Sequence, residues 1–193
     1  MDKIVGILLK QTHLVWIVSI YNIGIGILIK GFNPISQSIS EVALESPFFA
    51  YTHRMADVVI GLSMCFFALA LVAEYKQRVS FSSICISLLG ISMVSAGVWT
   101  LESPLHLLYN LSIFMIIVPV VFAFEFKEKI ESAYFLKFCL ILAFIHVLMF
   151  WLIYGGFIPQ EINGLVQRVW AVPTMGWFGW AAYVLIQLKR AKS

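Results

Sequence analysis

The sequence predicts an all-α integral membrane protein, folded as a six-transmembrane helix bundle. Two features of composition carry that class. Hydrophobic residues fill 61% of the 193 positions and charged residues only 12%, against about 25% charged in an average soluble chain. Mean hydropathy is +0.94, and the apolar residues gather in runs close to the roughly 20 needed to cross a bilayer. The length fits a single membrane domain over residues 1–193. A net charge of +3 is too small to point to nucleic acid.

The first span is expected at 13–29, in "HLVWIVSIYNIGIGILI". No small-residue cleavage site follows a short apolar core there, so the segment reads as a retained span and not a removed leader. The loop 31–53 comes next. Its Ser38-x-x-Glu41 has capping-box spacing, which predicts a short interfacial helix from near Ile39, closed by Pro47. Phe48, Phe49 and Tyr51 are suited to headgroup anchoring, so the loop reads as a lid on the membrane surface.

Span two is expected at 54–73 and span three at 81–100, where Ser83 with Ser87 and Ser92 with Ala96 allow close helix approach. Span four is expected at 105–124, with Pro104 in its first turn and Pro119 as a kink. Span five is expected at 133–154. Span six is expected at 164–188, with Asn163 as its N-cap and Pro173 as a second kink. Cys65, Cys85 and Cys139 sit inside apolar runs and read as small buried hydrophobes.

Lys and Arg set the direction. With both termini on one side, that side carries Lys3, Lys10, Lys76, Arg78, Lys127, Lys129, Lys137, Lys189, Arg190 and Lys192. The other side has only Lys30, Arg54 and Arg168. The positive-inside rule therefore predicts cytoplasmic termini in the plasma membrane and an outer lid.

The ionisable residues gather at outer span ends. His53 and Asp57 are four apart, so they share a helix face, and Arg54 lies three from Asp57. Glu102, His106 and Asn110 follow an i, i+4, i+8 pattern, while Gln167 and Arg168 mark the start of span six. A charge at mid-bilayer costs about 2.5–3.5 kcal/mol, less near the interface. An ion pair of Asp57 with Arg54 or Arg168 is therefore expected. Asn22 and His146, both mid-span, read as hydrogen-bonding links between helices.

Two function classes follow. In the first, an outer-leaflet pocket serves a hydrolase or transferase acting on a lipid-like or amphiphilic substrate. His53, Asp57 and His106 are its catalytic candidates, either in acid–base chemistry or as ligands of a divalent metal such as zinc. Substrate contacts are expected from Arg54, Glu102, Asn110, Gln167, Arg168, Ser40 and Glu41. Ser40 or Ser36 on the lid is also a nucleophile candidate, with His53 or His106 as its base. In the second class the chain is a non-enzymatic binding, transport or partner subunit, and the charge cluster fastens helix ends. Membrane lipids are the expected partners in both.

The stretch "NPISQSISEVALESPFFAYTHRMADVVIGLSM", with "HLLYNLSIFMIIVPVVFAF" and "GLVQRVW", resembles the DUF998 family of prokaryotic six-span membrane proteins. The resemblance implies a six-helix bundle with polar residues at one membrane face, and no activity. It also implies an F-P-x-D corner after span three, where this chain has "TLESP" with Glu102 at the acid.

Overall fold

The computed structural model describes residues 2–75, 80–100 and 103–191. These are helical segments and their connections, with no strand among the described residues. Five helices are long and apolar enough to cross a membrane, and a bent pair makes a sixth if taken as one span. The molecule is a multi-pass membrane protein. Of the cations in the charge count, Lys76, Arg78 and Lys192 lie outside the described residues.

The first span is longer than expected. Helix α1 (Asp2–Gln11) runs into α2 (His13–Gly24) and a 3-10 turn, Ile25–Leu28. Thr12 joins them with helical backbone angles, and its hydroxyl donates to Leu8 O at 3.1 Å. Val5 and Leu9 are buried in the main core, which is why the helix continues toward the N-terminus past Lys10.

The lid is correspondingly shorter. A 3-10 turn spans Ser40–Leu44, and α3 covers Pro47–Tyr75. Pro47 therefore opens the second span and does not close the short helix; its fixed φ and missing N–H suit a first turn. Phe48, Phe49, Tyr51 and His53 consequently lie on α3.

Helix α4 (Phe81–Val98) packs along α3 with almost no space between backbones. A Cβ on Gly61 would overlap Gly90 O, and one on Gly97 would overlap Arg54 O. The small residues that matter are thus glycines, where the sequence pattern pointed to serines and an alanine. The ends of α4 are held by opposite charges from its neighbours. At its N-terminus the Glu125 carboxylate accepts from Phe81 N at 2.6 Å, Ser82 N at 3.1 Å and Ser80 Oγ at 3.1 Å. At its C-terminus Arg54 Nε donates to Gly97 O at 2.9 Å and Nη2 to Val98 O at 2.6 Å. Both charges complement the helix dipole and satisfy groups a helix leaves unpaired.

The fourth span is broken. Pro104–Ile116 winds as a 3-10 helix, then α5 (Val118–Phe126) continues at an angle of 49°. Pro119 sits in the first turn of α5, at the expected kink. Helices α6 (Ala133–Tyr154) and α7 (Asn163–Ala191) complete the bundle, with Pro173 inside α7.

Neighbours in sequence are neighbours in space. Helices α1 and α2 pack on α3, α3 on α4, and α4 on both Pro104–Ile116 and α5. Helix α5 packs on α6, α6 on α7, and α7 closes back on α2 and α1. The core is aromatic, with Phe67, Phe122, Phe126, Phe135, Trp177 and Phe178 fully buried. Trp177 Nε1 donates to Cys139 Sγ at 3.1 Å and meets Phe122 edge-on at 5.2 Å. Within lipid such packing works through dispersion contacts, because lipid tails are as apolar as the core.

Candidate functional site

Helical spacing puts His53 and Asp57 on one face of α3, and that face turns toward α2. Nε2 of His53 lies 3.5 Å from Oδ2 of Asp57. Asn22 of α2 donates through Nδ2 to Asp57 Oδ1 at 2.7 Å and to His53 O at 3.4 Å. All three are buried, His53 to 4%, Asp57 to 8% and Asn22 to 4% exposure. Two polar atoms of this cluster, His53 Nδ1 and Asn22 Oδ1, have no hydrogen-bond partner. Asn22 is thus both the link between helices that its depth implied and the partner of the predicted acid.

Arg168 enters from α7, also buried at 7% exposure. Its Nη1 donates to Pro34 O at 2.8 Å, Gln37 O at 2.7 Å and Gly164 O at 3.0 Å, and its Nε to Ile23 O at 3.2 Å. The guanidinium also stands over the Phe32 ring at 5.7 Å. It therefore ties the lid to α2 and α7 through backbone carbonyls. Leu165 N donates to Ile35 O at 2.8 Å alongside. A Cβ on Gly164 would overlap Gln37 O, so only glycine lets the lid lie this close.

Within the lid, Ser38 N and Ser38 Oγ donate to Glu41 Oε1 at 2.8 and 2.7 Å. These bonds hold the Glu41 carboxyl below its usual range, with Arg168 adding attraction through space. That is half of a capping box, since Ser38 donates to Glu41 where a full box has it accept from the N3 amide. Phe32 and Val42 pack on Ile25 and Ile29, a small core separate from the main one.

The expected Asp57–arginine ion pair does not form. Arg54 reaches Gly97 and Val98 of α4, and Arg168 reaches the lid carbonyls. Arg54 meets carbonyls at the C-terminal end of α4, which a helix leaves without donors, while Arg168 meets carbonyls of the lid, α2 and Gly164.

His106 is also placed apart. Its Nδ1 donates to Trp99 O at 2.9 Å, and its ring stacks on Tyr109 at 5.9 Å. Helix α4 stands between α3 and the segment that carries His106. Asn110 is exposed on that segment. Gln167 Nε2 donates to Asn163 Oδ1 at 3.3 Å. Ser40 Oγ lies 3.2 Å from Ser38 Oγ on the lid. Glu102 lies outside the described residues. Among the described residues, no three His, Cys, Asp or Glu side chains come together to hold a metal ion.

Elsewhere, His146 Nε2 bonds Thr174 Oγ1 at 3.1 Å between α6 and α7. That matches its reading as a link between helices.

The chain matches one family model, described as "Protein of unknown function (DUF998)", over residues 14–184. No curated protein and no solved structure matches the chain.

Proposed function

The chain belongs to the DUF998 family, and from that premise we propose that it acts on a lipid-like or amphiphilic molecule at the lid end of the bundle, as a hydrolase or transferase. One observation supports this reading most: a buried His53–Asp57 pair, 3.5 Å apart and bonded to Asn22, that keeps a free ring nitrogen. Polar groups inside spans cost insertion energy that apolar residues in the same places avoid. The unpartnered Nδ1, itself buried, is the atom that exchanges a proton with a substrate hydroxyl or water once one is admitted beside it, while Asp57 orients the ring and steadies its charge. The activated oxygen then bonds to the acyl or phosphoryl centre. The leaving alcohol takes back the same proton as its bond to that centre breaks.

Acid–base chemistry is preferred to metal assistance because His106 bonds Trp99 O, away from the pair. The asymmetry of Lys and Arg supports a lid on the non-cytoplasmic face and both termini in the cytoplasm, in a protein of the plasma membrane under this reading.

A second reading, a non-enzymatic subunit, is favoured by Arg54 and Arg168, which both hold backbone carbonyls. Asp57→Asn separates the two. Under the enzymatic reading, lipid profiles of cells producing this variant lose the change that the wild-type protein causes, at equal protein level. Wild-type profiles from the variant would leave the structural reading.

A further inference from the structure

The His53–Asp57–Asn22 cluster ends in two acceptors. His53 turns Nε2 to Asp57 Oδ2 at 3.5 Å, which places the ring proton on that nitrogen and makes Nδ1 an acceptor. Asn22 turns its amide Nδ2 to Asp57 Oδ1 and His53 O, so its other end, Oδ1, is an acceptor too. Neither His53 Nδ1 nor Asn22 Oδ1 has a hydrogen-bond partner in the protein, and both residues are more than nine-tenths buried. From this pair we infer that the cluster binds one water molecule, which donates one hydrogen to His53 Nδ1 and the other to Asn22 Oδ1. That water is the attacking oxygen, a step that rests on the hydrolase or transferase reading above and narrows it to hydrolysis.

Counting donors separates water from a substrate hydroxyl. Nearly all buried polar atoms in proteins are hydrogen-bonded. An alcohol has one O–H and serves one of the two acceptors, whereas water has two and serves both. A buried water needs roughly two to four polar partners, and these two belong to one bonded cluster. Each stands two bonds from a nitrogen that faces the Asp57 carboxylate. With both hydrogens engaged, the lone pairs of the water are left for attack. One O–H gives its proton to His53 Nδ1 as the oxygen bonds to the acyl or phosphoryl centre. The bond from that centre to the leaving alcohol oxygen breaks, and this oxygen takes the proton from Nδ1. The products are an acid and an alcohol. Asn22 touches the water and decides which O–H faces the ring, so it is a catalytic residue of this reaction, while its Nδ2 holds Asp57.

The test uses the full-length protein in nanodiscs made with the lipid extract of cells lacking it, in water enriched in oxygen-18, with lipids read by mass spectrometry. The lipid that wild type consumes should yield an acid product carrying one oxygen-18 at the enrichment of the solvent. With methanol added, the product divides between the acid and its methyl ester. Asn22→Ala should raise the ester-to-acid ratio about fivefold at whatever rate remains, the effect of one lost hydrogen bond; a loss of folded protein alone does not move that ratio. The oxygen-18 result on wild type does not depend on the variant folding. Turnover with unlabelled products would overturn the bound water and leave the His53–Asp57 chemistry as a transfer. An unchanged ester-to-acid ratio in Asn22→Ala would overturn the role of Asn22. If wild type consumes no lipid at all, hydrolysis falls together with the reading beneath it.

Discussion

At the scale of single residues, what matters is which acceptor each charged side chain finds. The pairing of His53 with Asp57 was legible from spacing alone, because four residues apart on a helix is one face. The destination of Arg54 and Arg168 was not. Sequence shows carboxylates, but it does not show which backbone carbonyls a fold leaves without donors, and those are what both arginines bind. Asn22 was legible as a polar link but not as the partner of Asp57, since that needs the register between α2 and α3. Glu41 gives a pH prediction at this scale. Its folded carboxyl is held below the usual value of 4.5, chiefly by the two bonds from Ser38. A lowered folded value stabilises the lid above the ordinary carboxyl range, and that stabilisation is lost as pH falls through the folded value. Hydrogen exchange of the lid amides should therefore accelerate in acid for wild type. Glu41→Gln should exchange fast already at neutral pH and show little further acid response.

At the scale of elements, α4 is the piece on which the site's frame depends. It has no charged residue of its own, so its two ends draw on Glu125 from α5 and Arg54 from α3. Removing Glu125 leaves two backbone N–H groups and the Ser80 hydroxyl without their acceptor. Glu125→Ala should thus destabilise the protein by about 1–2 kcal/mol, seen as a lower melting temperature in detergent with the lid's exchange unchanged. The position of α4 in the chain was plain from hydropathy; its capping in trans was not. The 3-10 winding of Pro104–Ile116 was equally hidden. Telling a period of 3.0 from 3.6 needs a polar face to serve as a marker, and "PLHLLYNLSIFMI" is apolar nearly all round.

For the whole molecule, hydropathy located the spans because bilayer thickness fixes their length, and proline located the break in the fourth. Helix order around the bundle was beyond that signal, since helices apolar on every face carry no record of their neighbours. That is why His53 and His106 were expected to meet, whereas α4 lies between the elements that carry them. What remains at the lid end is one buried pair with its asparagine, beside two arginines that fasten backbone. The proposed chemistry therefore rests on His53, and scaffolding falls to its neighbour Arg54, one residue on. The most direct test compares membrane lipids of cells producing His53→Gln with those producing Arg54→Gln, at matched protein levels. The predicted result is that the histidine variant resembles cells lacking the protein, while the arginine variant melts earlier in detergent yet retains the wild-type lipid pattern. A histidine variant with the wild-type lipid pattern would contradict the account.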